Sequence, residues 1–457
     1  MGAGAGILPG GEERRLKLLA MVRQVLYFIA IMIDIKHLRE NPDIYKRACQ
    51  QKGYKIDIDQ FCALDKRVRE LKQQLQEIAT AKNQAGKDIA KLKGDERDQA
   101  IRRMGELKEQ EKQFTSDLTG LEPQVNQFLL NIPMPPHPST PVGPDASGNV
   151  EVKRWGEVRK FDFKPKDHIE LGTALGIIDV ERGVKLSGSR NYVLRGDGAL
   201  LHQAILRLAH DMMVDKGFEP LSVPVITKEA TFMGTGWFPE GKPQVYQIPE
   251  DELFLIGTAE VPATSLYMDE IIEEKDLPMR LVAQSLCFRR EAGAAGKDTY
   301  GLYRIHQFEK VEQVIICRAD KDESEKWHQH IVANSEEMLQ KLELPYRLLE
   351  ICTGDMGMGK YRMYDIETFM PSRGGYCETH SASAFLDFQA RRLNLRYRDQ
   401  ERKVRYCYTM NNTVIASPRI LIPVLELNQN ADGSVNIPKA LRPYMQNREV
   451  LRPNLRA

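Results

Sequence analysis

With 457 residues the chain is long enough for two or three domains, each with a core of its own. Its 65 Lys and Arg against 64 Asp and Glu leave a net charge of +1, which excludes a global field that would draw it to a polyanion or a membrane. Seven scattered cysteines without a CxxC pair fit a reducing, cytoplasmic compartment better than a disulfide framework or a zinc site.

Residues 1–31 begin Gly/Ala-rich, carry a basic patch (Arg14, Arg15, Lys17) and end in an apolar run cut by Arg23 and Gln24. The clean part, 25–33, is too short to span a bilayer. A basic start and short apolar run leave a signal peptide open, though an obvious small-residue cleavage site is missing; we read 1–31 as an extension, disordered or the product of an upstream start, with the first domain opening at Met32. From about 58 to 132 apolar residues recur at alternating steps of four and three. Leu64, Val68, Leu71, Leu75, Ile78, Ala85, Ile89 and Leu92 form one seam, with Lys82 its polar member. Gly94 and Asp95 interrupt it as a helix stop and the next N-cap. The second seam runs through Ala100, Met104, Leu107, Phe114, Leu118, Leu121, Val125, Phe128 and Ile132, with Glu111 its polar member. Two long helices around a tight turn fold back antiparallel, because each stripe needs a partner and the nearest is next door. The product is an arm roughly 50 Å long, in which Pro123 should produce a kink. Around its tip, 82–103, seven basic residues (Lys82, Lys87, Lys91, Lys93, Arg97, Arg102, Arg103) face four acids. They suit either an ordinary solvated coiled-coil surface or phosphate contact with a long nucleic acid.

A Pro-rich connector, 132–148, places a domain boundary near 150. Beyond it a helix around 199–216, strands near 281–288 and 311–317 and a helix around 323–342 mix without βαβ alternation, which indicates an α+β domain over 151–457. Its chemistry concentrates in two stretches. FRREAGAAGKDTYGLYRIHQFEKVE (288–312) reads as two strands joined by a Gly/Ala-rich loop, with Arg289 and Glu291 leaving one strand and Phe308 to Glu312 entering the other. NNTVIASPRILIPVLE (411–426) sets Arg419 just inside an apolar helix, with Pro418 in its first turn. Two arginines from distant segments suit a nucleotide charged at both ends, since guanidinium binds phosphate oxygens bidentately. A third stretch, GDMGMGKY (354–361), resembles a P-loop but has Tyr361 where the magnesium-binding hydroxyl belongs and an extended segment where the helix belongs. It reads as a turn.

The FRxE strand, the loop ending in HQFEKVE and the late Pro-Arg segment resemble motifs 2 and 3 of class II aminoacyl-tRNA synthetases, and GFEPLSVPVI (217–226), with Pro224, resembles motif 1. With the helical arm, the match is to the seryl-tRNA synthetase family. It runs from MIDIKHLRENP (32–42) through GTAE (257–260), CTGDMG (352–357) and DFQARR (387–392) to the last helix. The resemblance implies an arm domain over 32–150 and a catalytic domain built on an antiparallel sheet flanked by helices. It implies that L-serine reacts with ATP to form seryl-adenylate and is then passed to tRNA(Ser), and by family habit to tRNA(Sec). Arg289 and Arg419 would be catalytic, on the α- and γ-phosphates. Arg290, Glu291, Phe308, Glu378, Thr379, His380 and Ser381 would complete the ATP site, with Glu378 holding Mg2+ through the nucleotide. Thr258, Ala259, Glu260, Glu312, Asn411 and Thr413 would bind serine, the seven tip cations would meet tRNA, and motif 1 implies a homodimer. ETHS (378–381) and NNT (411–413) depart from the commoner E-I-S-S and N-G-S, which leaves His380 as an unusual neighbour for ATP. Two other readings stay open: a ligase that loads a carrier protein, and an inactive synthetase-like interaction protein.

Overall fold

The computed structural model describes residues 32–293, 296 and 298–453, so the extension expected at 1–31 lies outside the described residues. The chain divides into two compact units between Pro135 and Pro136.

The first unit opens with α1 (Ile35–Glu40) and α2 (Pro42–Lys52), the latter begun by a proline at its first turn and ended by Gly53 at φ 77°. The arm follows as α3 (Ile58–Ile89) and α4 (Asp95–Asn131). Asp57 caps α3 by accepting from the Gln60 N–H at 2.9 Å. The expected N-cap moves by one residue. Gly94, at φ 61°, occupies the cap position of α4, while Asp95, Glu96 and Asp98 fill its first turn, where the helix dipole favours anions. The helix continues through Pro123. Contacts along the arm run in opposite senses on the two helices. Phe61 meets Phe128 (ring centroids 6.0 Å apart), Lys72 meets Glu122 (2.8 Å) and Lys82 meets Glu111 (2.5 Å), so the pairing is antiparallel. The polar members of the two seams are therefore partners.

The second unit starts before the boundary expected near 150. Residues 136–149 are hydrogen-bonded into it, with His137 N–H to Tyr361 O (2.7 Å), Thr353 N–H to Pro141 O (2.9 Å) and Gly354 N–H to Gly143 O (2.9 Å). At Gly354 a side chain is impossible, since a Cβ would stand 2.3 Å from the Gly143 carbonyl oxygen. The 353–360 stretch is a turn leading into a strand, with no helix after the lysine.

Eight strands make the central sheet: β1 (Val150–Trp155), β2 (Glu219–Leu221), β3 (Met279–Phe288), β4 (Gln307–Cys317), β5 (Tyr346–Glu350), β6 (Arg362–Met370), β7 (Gly375–Leu386) and β8 (Tyr408–Ser417). Their spatial order is β1-β5-β6-β7-β8-β4-β3-β2, antiparallel throughout except where β2 lies parallel to β3. Helices α5 (Asp197–Asp215) and α6 (Lys321–Lys341) cover one face and share a core with Val311, Ile315, Ile366, Ala382, Ala384 and Val414 of the strands. Side chains alternate along a strand, so Lys310 and Glu312, out of phase with Val311, are sent to the other face. That face carries the site. The α+β architecture is as expected.

Candidate active site

A cavity of about 550 Å³ lies on the open face of the sheet. Two irregularities in strand pairing place its charged and hydroxyl groups. Between β4 and β8 the register shifts at Val414, after which Glu312 stands directly opposite Thr413. Between β6 and β7 it shifts at Thr379, which is left without an opposite number between Glu378 and His380. In a regular strand Glu378 and Ser381, three apart, would point to opposite faces. The extra residue turns both into the cavity.

At one end is a dense polar cluster. Glu312, only 1% exposed, accepts from the Asn411 amide on Oε1 (2.9 Å) and from the Thr413 hydroxyl on Oε2 (3.0 Å). Lys310 Nζ donates to Glu312 Oε2 (2.6 Å) and to Thr413 Oγ1 (3.0 Å). Glu260 begins a short helix, Glu260–Thr264, and receives the Gln389 amide at 2.8 Å. Burial, then the charge of Glu312, push its carboxyl above the usual carboxylate range. Thr258 lines the cavity and its hydroxyl accepts from the Glu260 N–H at 3.3 Å.

At the other end are the two arginines. Arg289 leaves β3 with its guanidinium 5.3 Å from the centre of the Phe308 ring and 5.7 Å from that of Trp237. Arg419 donates to the carbonyls of Tyr303 and Glu378 (3.1 Å each) and lies 4.4 Å over the Tyr303 ring. The apolar helix α7 (Leu421–Leu427) starts two residues after Arg419, which therefore sits in the turn that follows β8 and not inside the helix. Glu291, at φ 52°, is held by Arg304 at 2.7 Å.

Of the residues expected in the site, Thr258, Glu260, Arg289, Glu291, Phe308, Glu312, Glu378, Thr379, Ser381, Asn411, Thr413 and Arg419 line this cavity. Three do not. Ala259 is fully buried behind its neighbours. Arg290 is exposed and its guanidinium donates to the Pro243 carbonyl at 3.3 Å. His380 pairs with Ile366 on the helix-covered face, where it is 1% exposed and burial drives its imidazole down to about 3. It cannot donate to a phosphate in the cavity. Sequence reading missed Trp237, Lys310 and Lys360, all of which line it. Lys310 was legible in principle: it lies two residues before Glu312 on one strand and so shares its face. On the arm, six of the seven tip cations are exposed, whereas Lys82 is engaged by Glu111.

Residues 244–428 match the model of the class II tRNA synthetase core domain (G, H, P, S and T), and residues 32–136 match that of the seryl-tRNA synthetase N-terminal domain. A serine–tRNA ligase from Deinococcus radiodurans is 46% identical over 420 residues, covering 92% of this chain and 99% of that protein. One from Rubrobacter xylanophilus is 41% identical over 424 residues, covering 92% and 99%. The crystal structure of seryl-tRNA synthetase from Pyrococcus horikoshii complexed with ATP superposes with a TM-score of 0.88 at 36% identity, covering 93% of this chain and all of that one. Both units and nearly the whole described length are thus accounted for by one kind of relative, and the chain belongs to the seryl-tRNA synthetase family of class II aminoacyl-tRNA synthetases.

Proposed function

We infer that the protein is a serine–tRNA ligase. It joins the carboxylate of L-serine to the α-phosphorus of ATP, releasing diphosphate, and passes the seryl group from the adenylate to the 3′-terminal ribose hydroxyl of tRNA(Ser), releasing AMP. The observation that carries this reading is the single cavity with the Lys310–Glu312–Asn411–Thr413 cluster at one end and Arg289 and Arg419 at the other. One end suits the donors of a small hydroxy amino acid, the other the oxygens of a polyphosphate.

Arg289 stabilises charge at the α-phosphate as the serine carboxylate attacks, and Arg419 holds the γ-phosphate. Phe308 packs on the adenine and Glu291 holds its edge. Glu260 and Thr258 take the serine ammonium, and Glu312 with Thr413 takes the hydroxyl. No protein nucleophile is required, because substrate carboxylate and ribose hydroxyl attack in turn, and the chain contributes position and electrostatics. Among the described residues no cluster of three or more His, Cys, Asp and Glu could hold a metal unaided. Glu378 and Ser381, turned to one face by the Thr379 bulge, offer the hard oxygen donors that suit Mg2+ entering with ATP. The ion would neutralise phosphate charge.

The exposed tip cations Lys87, Lys91, Lys93, Arg97, Arg102 and Arg103 would follow the phosphate backbone of tRNA by shape, with little base readout. Charging of tRNA(Sec), a homodimer formed through motif 1 and a cytoplasmic location complete the proposal. The short edge strand β2 in motif 1 supports the dimer, and seven unpaired cysteines suit a reducing compartment. Among the described residues no helix is long and apolar enough to cross a membrane. The test is charging of tRNA(Ser) with labelled serine by the full chain. Seryl-tRNA should accumulate at the expense of ATP, and a folded protein that forms none would overturn the reading.

A further inference from the structure

We propose that Lys310 is a positioning residue that sets the hydrogen-bond polarity of the amino-acid pocket, and that through Thr413 it selects a substrate whose side chain donates a hydrogen bond. The proposal rests on the serine-activating reading above. Its basis is a set of donor and acceptor constraints. The Lys310 ammonium has donors only and is 6% exposed. Its bond of 3.0 Å to Thr413 Oγ1 therefore makes that hydroxyl an acceptor toward the lysine. The single Thr413 proton then goes to Glu312 Oε2 at 3.0 Å, because a carboxylate can only accept. On the other oxygen, Glu312 can be satisfied by Asn411 only through the amide nitrogen, at 2.9 Å, which turns Asn411 Oδ1 away. That oxygen is buried and has no partner. What the cluster leaves open toward the cavity is a lone pair on Thr413, one on Glu312 Oε1 and the Asn411 carbonyl oxygen, three acceptors, against one donor, the third N–H of Lys310.

A ligand completing this pocket must bring donors to these acceptors and can take the remaining lysine N–H on its hydroxyl oxygen. The ammonium and hydroxyl of serine do so; alanine brings only the ammonium and leaves a buried acceptor unpaired. Sites that hydrogen-bond a substrate hydroxyl reject the analogue lacking it by about 10⁴-fold or more. Without Lys310 the Thr413 hydroxyl keeps only its bond to Glu312, whose carboxylate loses its buried counter-charge, and the acceptors facing the ligand are no longer held in place.

The experiment compares ATP–pyrophosphate exchange with serine and with alanine for the wild type, Lys310→Met, Thr413→Val and the double variant. Both single variants should lower the serine-to-alanine ratio of kcat/KM at least tenfold. The double variant should fall no further than the worse single, since the lysine acts through the threonine. A fold-wide structural role would lower both amino acids together and keep the ratio. A retained ratio in a folded Lys310→Met, or independent effects that multiply in the double variant, would overturn the proposal. A second measurement needs no variant: 3-fluoroalanine, close to serine in size but without a side-chain donor, should inhibit wild-type serine exchange at least a hundredfold more weakly than serine saturates it. Comparable affinity would overturn the proposal. Absence of serine exchange by the wild type would instead remove the activity on which it stands.

Discussion

The arm and the active-site cavity are built on opposite relations between regularity and function. In the arm, unbroken periodicity does the work. Two seams with heptad spacing pair antiparallel, and their polar interruptions, Lys82 and Glu111, meet each other. In the cavity, function depends on breaks in periodicity. The extra residue at Val414 sets Glu312 opposite Thr413, and the one at Thr379 turns Glu378 and Ser381 to the same face. A periodic element can be extended or shortened by whole repeats, whereas a bulged strand aims particular side chains and tolerates no change of count.

The largest break in the comparison should come at Arg289. Arg289→Ala removes the donor to the charge growing on the α-phosphate and should lower serine-dependent exchange by about 10²–10³-fold. The arm should keep its affinity for tRNA, measured by filter binding. Deleting Thr379 restores regular pairing between β6 and β7 and should cost about 10²-fold in kcat/KM for ATP, the scale of an ångström-level misplacement. If that deletion left ATP use intact, the bulge would not be the device that aims Glu378 and Ser381.

Acid should separate the two units. His328 and His380 are buried and neutral, pushed down to about 4 and about 3 by desolvation. Their unfolded values near 6.5 lie higher, so the folded state is favoured fully above about pH 6.5 and loses roughly 1.4 kcal/mol per histidine for each pH unit below it, until the folded values are reached. Urea denaturation at pH 7 and pH 5.5 should show this loss in the second unit. Residues 32–135 contain His37 alone, which is exposed. His380→Asn should flatten the acid limb and leave the KM for ATP unchanged; a raised KM would mean that His380 reaches the nucleotide after all.

The smallest effect belongs to the arm. Lys82 and Glu111 are 24% and 38% exposed, so Lys82→Glu should destabilise by at most about 1 kcal/mol, with recovery in the charge-swapped pair Lys82→Glu, Glu111→Lys. Exchange activity should not respond. A loss that the swap fails to restore would mean that the two residues do not fix the register together.

The same contrast explains what could be read from sequence. The arm was legible almost entirely, because heptad spacing is the three-dimensional contact pattern written in one dimension. The strands around 281–288 and 311–317 and both long helices of the second unit were legible from β-branched runs and helix-period patterns, which are local marks. His380 was misplaced because a bulge has no reliable mark in composition, and counting residues through Thr379 puts every later side chain on the wrong face. Lys310 was passed over because a lysine reads as surface, and its burial depends on Glu312 and Thr413 arriving from two strands. The boundary near 150 followed the end of the Pro-rich stretch, while backbone hydrogen bonds to Tyr361, Thr353 and Gly354 draw residues 136–149 into the second unit.

The most direct test of the account is ATP–pyrophosphate exchange by the purified full chain with each of the twenty amino acids in turn, without tRNA. The cavity predicts exchange with serine, with alanine lower by about 10⁴-fold. No exchange with any amino acid, or exchange led by one without a side-chain hydroxyl, would contradict it.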